Sequence, residues 1–253
     1  MKKLLCLFSA ALVALTSCSN DDDSSKSSSI LVKKITEFEN DKPVSKDIVY
    51  NGNKIVSITN ADGSQAKFTY TGDFITKNEH FDEKGKLAGT DEYTYTNGKL
   101  TTYVEKEPGD NIYYYKTKYV HNADGTVSYE EFRVTVSTGF EEEYGEIGKL
   151  TFKDGNLIKA ENSYYGYDSI KVYDYDVKNS PFKNITGYSL LLEDESVVNN
   201  IIKETRTSGS GANVNTSVTT YTYKYDTNNY PTEKVTTFPN GNSTSSETTQ
   251  YFY

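Results

Sequence analysis

The chain has 253 residues, a net charge of −9, 23 tyrosines, no tryptophan, two cysteines and two histidines. A chain this acidic is repelled by nucleic-acid phosphates and by anionic headgroups, so nucleic acid is excluded as a partner and membrane attachment has to come from lipid. With so few cysteines and histidines, thiolate metal sites, cysteine nucleophiles and histidine relays have almost nothing to be built from.

Residues 1–17 open with Lys2 and Lys3 and continue through an apolar run, Leu4 to Leu15, that is too short to cross a bilayer as a helix. The run closes on Leu15-Thr16-Ser17-Cys18. This segment resembles a bacterial lipobox, in which the signal peptide is cut before the cysteine and Cys18 becomes an acylated, palmitate-bearing first residue. Cys6 leaves with the signal, so the folded domain is expected to contain no free thiol and no disulfide. Residues 18–29 hold no large apolar side chain and read as an acidic, serine-rich tether, ~40 Å long at full extension. Asp21, Asp22 and Asp23 keep such a tether extended. They also resemble the acidic export signal of some Gram-negative surface lipoproteins, which implies a lipid-anchored location on the exposed face of the outer membrane.

From residue 30 to 253 the pattern is β. Tyr93-Thr94-Tyr95, Tyr173-Asp174-Tyr175 and Tyr221-Thr222-Tyr223-Lys224-Tyr225 alternate with a period of two, which puts the rings on one sheet face. Glycine-bearing turns follow at short intervals, among them Asn51-Gly52, Thr71-Gly72, Asn97-Gly98 and Asp154-Gly155. An internal repeat sets an aromatic residue five positions before Ile or Leu with a glycine between them: Tyr50 and Ile55, Tyr70 and Ile75, Tyr95 and Leu100, Phe152 and Leu157. Asn60-Ala61-Asp62-Gly63-Ser64 recurs as Asn122-Ala123-Asp124-Gly125-Thr126 and reads as a tight turn, since the further oxygen ligands of a calcium loop are missing. The expected fold is all-β, an antiparallel hairpin meander forming a strongly curved or barrel-like sheet. Residues 184–192 fit a short helix or an apolar strand equally well.

Tyr175-Asp176 with Asn179-Ser180-Pro181-Phe182-Lys183-Asn184, and Tyr223-Lys224-Tyr225-Asp226 with Asn229-Tyr230-Pro231-Thr232, carry a resemblance. They are similar to an uncharacterised family of bacterial surface lipoproteins, catalogued as a domain of unknown function with a porin-like fold. Units such as Phe81-Asp82-Glu83-Lys84-Gly85-Lys86-Leu87 also resemble degenerate YD repeats. Neither resemblance implies catalytic residues or a cofactor.

The acidic runs Glu130-Glu131 and Glu141-Glu142-Glu143 read as a solvated face, because neighbours on a strand point to opposite sides. His80 and His121 lie beside turn signals and read as exposed strand ends, so no metal site is expected. The tyrosine rows (Tyr93, Tyr95, Tyr173, Tyr175, Tyr221, Tyr223, Tyr225) admit two readings: cross-strand packing that supplies a core, or a flat aromatic platform for a sugar or an envelope protein. With the lipobox and export-signal resemblances, which imply an outer-membrane lipid anchor, the expectation is a non-enzymatic lipoprotein, a binding or envelope-structural module. An accessory lipoprotein of an export or glycan-uptake complex, or a glycan-acting enzyme, are the rival readings.

Overall fold

A computed structural model describes residues 29–39, 42–110, 112–192, 197–211, 213–241 and 243–253. Cys18 and Asp21, Asp22 and Asp23 lie outside the described residues. Sixteen antiparallel strands form a closed barrel in which each strand pairs with its neighbours in sequence and the first pairs with the last. In chain order they are β1 (Lys34–Glu39), β2 (Lys42–Asn51), β3 (Lys54–Asn60), β4 (Gln65–Thr71), β5 (Phe74–Phe81) and β6 (Leu87–Thr96). Next come β7 (Lys99–Lys106), β8 (Tyr113–His121), β9 (Val127–Thr135), β10 (Glu141–Lys153) and β11 (Asn156–Tyr164). The last are β12 (Tyr167–Tyr175), β13 (Ile201–Ser210), β14 (Asn213–Tyr225), β15 (Pro231–Asn240) and β16 (Ser243–Phe252). The expected meander is thus closed, and residues 184–192 contain a single 3₁₀ turn, Tyr188–Leu190, in place of a regular helix or strand.

The sequence repeat is the hairpin itself. Tyr50 pairs with Ile55, Tyr70 with Ile75, Tyr95 with Leu100 and Phe152 with Leu157 across their turns, each next to a β-bulge just before the aromatic residue. Ring and aliphatic chain are direct cross-strand partners over a two-residue turn, so their odd spacing places both on the same side of the sheet. That side is the inside. Ile55, Ile75, Leu100 and Leu157 are all less than 3% exposed.

A barrel of sixteen strands is too wide for its own inward side chains to fill. Here the long connection between β12 and β13 supplies the missing material at one end. Its Ile185 and Leu191 pack among Val32, Ile35, Ile48, Ile55, Ile75 and Leu100, and its Val197 packs with Val127, Leu150, Leu157 and Tyr173. Gly187 (φ 77°) runs so close to the β4–β5 turn that a Cβ there would stand 2.5 Å from the Asp73 carbonyl oxygen. Hydrogen bonds hold this plug to the wall, from Thr186 N to Asn53 O (2.9 Å) and from Asn184 Nδ2 to Ile30 O (2.9 Å) and Tyr230 Oη (2.7 Å).

Just inside the plugged end, tyrosine hydroxyls knit consecutive hairpins together. Tyr50 donates to Val32 O, Tyr95 to Ile75 O, Tyr175 to Leu157 O, Tyr223 to Ile201 O and Tyr253 to Pro231 O, all at 2.6–2.9 Å. His121 takes the tyrosine's place once, with Nε2 2.8 Å from Leu100 O. His121 therefore faces inward with a partner, and the expectation of an exposed strand end is corrected. The outer wall is different in kind. Lys77–Glu79, Lys106–Glu92, Lys159–Glu161, Lys224–Glu233 and the pair Lys116 and Lys118 on Glu141 all form ion pairs on outward-facing positions.

Removing one of the inner hydroxyls leaves a shielded carbonyl without its donor, a loss of about 1–3 kcal/mol. Tyr223→Phe is expected to lower the urea midpoint accordingly, whereas Thr222→Val, one residue away on the outer face, is expected to leave it nearly unchanged.

Candidate functional site

The lumen between the plug and the opposite end is the candidate site. Among the described residues no segment comparable to the plug crosses that opposite end, where strands are joined by turns such as Asn60–Gln65 and Tyr164–Tyr167. A cavity of about 200 Å³ lies against the plug, lined by Phe182, Asn200, Tyr221, Tyr223, Lys234 and Tyr251. A larger one of about 730 Å³ lies toward the mouth on β1, β15 and β16, where Glu37, Thr236, Phe238 and Glu247 line it.

All seven tyrosines singled out from the sequence face this interior. Tyr93 and Tyr173 are 8% and 3% exposed. The Tyr93 ring sits 5.5 Å from that of Tyr103, and Tyr95 lies 4.9 Å from Phe74. Tyr175 and Tyr223 commit their hydroxyls to the carbonyls already described, Tyr225 donates to Asp176 on the plug connection, and Tyr221 lines the small cavity. Burial raises the hydroxyl pKa of Tyr223 and Tyr225 far above the ordinary phenol value. These rows form the floor of the lumen rather than a surface on the outer wall.

A second aromatic group was missed in the sequence because its members alternate poorly and come from three strands and a turn. The Tyr115 ring lies tilted 4.8 Å from Tyr144, Tyr144 tilted 6.3 Å from Tyr164, and Tyr164 edge-on 4.6 Å from Tyr165. The Arg133 guanidinium lies 4.4 Å over the Tyr113 ring while pairing with Glu142 at 2.6 Å. A hydrogen bond to Tyr144 lifts the Tyr115 hydroxyl to about 12. This group lies toward the mouth, where Tyr165 is 73% exposed. The Tyr113-Tyr114-Tyr115 run was the available signal.

Carboxylates mark the same wall. Asn78, Asp91 and Glu105 are successive cross-strand partners on β5, β6 and β7; Glu105 pairs in turn with Tyr115 on β8, and Tyr115 with Arg133 on β9. His80 Nε2 lies 2.7 Å from Asp91 Oδ2, and Tyr103 donates to Asp91 Oδ1 at 3.0 Å. The bond to Asp91 raises the His80 pKa, so this histidine too has an inward partner and is not the exposed strand end expected. Glu131 follows on β9 and Glu146 on β10, where Tyr129 donates to Glu146 at 3.3 Å. Partial burial, and then the charges of Asp91 for Glu105 and of Glu146 for Glu131, raise both glutamate pKa values. The solvated acidic face expected at Glu130-Glu131 and Glu141-Glu142-Glu143 is therefore divided by the pleat. Glu141 pairs with lysines outside, while Glu131 and Glu142 face the lumen.

The outer wall over β8–β12 has its own groove of about 820 Å³, in which Val120, Ile147 and Ile170 are flanked by Lys118, Lys149 and Glu161. Beneath it the Tyr129 ring covers Gly148 so closely that a Cβ there would come within 2.2 Å of the ring. Among the described residues no group of three or more His, Cys, Asp or Glu is placed to hold a metal ion. The recurrent Asn-Ala-Asp-Gly segments are turns, with Asp62 Oδ1 accepting from Ser64 N (2.9 Å) and Asp124 Oδ1 from Thr126 N (3.0 Å).

With this geometry in view, comparison with known proteins adds the fold alone. No family model and no curated protein matches the chain. Among solved structures the chain is similar to a porin-like protein from Bacteroides uniformis ATCC 8492, with a TM-score of 0.50 and 15% identity over 87% of this chain and 97% of that one. The porin-like fold of the resemblance is thus shown, and its lipoprotein family and YD repeats rest on the motifs.

A carboxyl with a raised pKa in the folded state is destabilising above that pKa, and the penalty fades as pH falls through it. Glu131→Gln is therefore expected to raise the thermal midpoint above neutrality. The gain should shrink on acidification through the carboxylate range, which a melting series against pH would check.

Proposed function

We propose that this protein is an outer-membrane lipoprotein whose barrel stands in water as a non-enzymatic binding module, held to the bilayer by acyl chains on Cys18 and exported to the surface by Asp21, Asp22 and Asp23. The outer wall carries the argument. A barrel in lipid needs a continuous apolar outer band, and a lysine at the bilayer midplane costs ~2–4 kcal/mol. Here lysine–glutamate pairs occupy outward positions on β5, β6, β7, β8, β10 and β11 and again on β14 and β15. Among the described residues no helix is long and apolar enough to cross a membrane either.

The direction of attachment follows from the plug. Residue 29 enters at the plugged end, where Asn53 Nδ2 donates to Ser29 Oγ at 2.8 Å, and the C-terminal Tyr253 ends there beside Tyr230. A tether of residues 18–28 leaving from that end turns the plug toward the membrane and the mouth with its tyrosines away from it. Ligand reaches the lumen from the outside. The outer groove, with Val120 60% and Ile147 54% exposed, favours a second reading as an accessory lipoprotein that docks an envelope protein or glycan-uptake partner.

Two measurements test the proposal. Cys18→Ala should move the protein from the membrane fraction to the soluble fraction, since several acyl chains on one residue hold a protein that a single chain does not. Residues 30–253 alone should be soluble without detergent and show β-type circular dichroism. Recovery of that segment only in detergent would return the barrel to the bilayer and defeat the reading.

A further inference from the structure

We infer that the mouth of the barrel binds a neutral oligosaccharide, stacked on a row of tyrosine rings whose outermost member is Tyr165. The inference names the ligand class of the binding-module reading and rests on it. Tyr165 occupies a position where tyrosine is out of place. The β11–β12 turn joins the paired residues Tyr164 and Tyr167 through Tyr165 (φ 48°) and Gly166 (φ 80°), both left-handed. Two turns at the base share this geometry and follow the usual preference for a small polar residue, with Asn97 (φ 51°) before Gly98 and Asp154 (φ 54°) before Gly155. A tyrosine there strains the backbone and gains little burial in return, since Tyr165 is 73% exposed. Strain that the turn does not need points to the ring itself.

The opposite strand is shaped to receive that ring. Gly145 (φ 87°) lies under its face, and a Cβ there would stand 2.5 Å from Cζ and 2.7 Å from both Cε atoms. The Tyr165 N–H donates to the Gly145 carbonyl at 3.4 Å, and the Tyr164 and Tyr165 rings meet edge to face at 4.6 Å. One face is thus seated on the β10 backbone and the other is open to water, a rigid platform in place of a loose side chain. Tyr164, Tyr144 and Tyr115 continue the row around the inside of the rim, and the hydroxyls of Tyr164 and Tyr115 both hydrogen-bond to Tyr144. Ring faces edged with hydroxyls match a pyranose, which has an apolar C–H face and hydroxyls around it. Arg133, over the Tyr113 and Tyr144 rings, is held by Glu142 at 2.6 Å, so an acidic ligand would have to displace that pair. A peptide finds no strand edge to extend, because every strand of the closed barrel already has two neighbours. A sugar chain leaving the row across the mouth reaches further hydroxyls and amides, Thr236, Asn240, Ser245 and Thr249, in the cavity of about 730 Å³.

Neutral hexasaccharides of glucose, mannose, xylose and N-acetylglucosamine, titrated calorimetrically into the purified full chain, test this. The parent should bind at least one of them, with an affinity indifferent to salt. Tyr165→Asn installs the residue that the turn favours, so it should hold or raise the thermal midpoint while weakening sugar binding by about tenfold. Phe252→Thr removes an exposed ring from the outer wall at the base and should leave binding within about twofold of the parent. A midpoint lowered by Tyr165→Asn would make the ring part of the fold and overturn the inference. Unchanged binding in that variant would place the sugar elsewhere and overturn it too. If the parent bound none of the hexasaccharides, as it would were the rings a seat for a protein, the sugar site would fall while the lipid-anchored barrel stood. Recovery of residues 30–253 only in detergent would instead defeat the reading on which the site rests.

Discussion

A sheet of sixteen strands closed on itself encloses more space than aliphatic side chains alone can fill, and the rest of this structure answers that constraint. Tyrosine is the main answer. Its ring reaches further inward than leucine, and its hydroxyl can end on a polar partner without leaving an unsatisfied group in the interior. Five tyrosine hydroxyls therefore reach main-chain carbonyls about twenty residues back in the chain, as in Tyr95 to Ile75 and Tyr223 to Ile201.

The plug completes the answer at one end only, and that asymmetry gives the barrel its polarity. The connection between β12 and β13 brings Ile185, Leu191 and Val197 to the centre of the floor, where aliphatic residues from strands on every side meet. Above the floor no such material arrives, so inward positions there carry Asp91, Glu105, Glu131 and Arg133. The chain thus separates an aliphatic, hydrogen-bonded base from a charged chamber within one sheet. The described residues begin at Ser29 and end at Tyr253 on this same base.

Charge is distributed by the same two-residue period that distributes the rings. Adjacent acids in a strand are sent to opposite faces, so Glu141 is neutralised by two lysines outside while Glu142 meets Arg133 inside. Outside, lysine and glutamate are interleaved and screen one another. Inside, the β5–β10 wall has Arg133 for Glu142 and His80 for Asp91, and partial burial, then neighbouring carboxylates, raise the pKa values of Glu105 and Glu131. Gly148 shows how closely this wall is fitted, since its missing side chain is what lets the Tyr129 ring lie against the sheet and reach Glu146.

Local physics was legible in the chain itself. Alternation, turn glycines and the five-residue aromatic-to-aliphatic spacing established antiparallel hairpins, and those four spacings are cross-strand pairs in the structure. Each depends on contacts between residues close in sequence. Closure of the barrel depends on pairing between β1 and β16 at opposite ends of the chain, which no local period encodes. Residues 184–192 were undecidable because their shape comes from the cavity they fill. The tyrosine rows could be read as core or as platform until the curvature of the sheet decided which face was inside. The acidic row belongs wholly to tertiary structure: Asp91, Glu105, Glu131 and Glu146 are separated by more than ten residues at each step and meet only because register and shear bring four strands to one level of the wall.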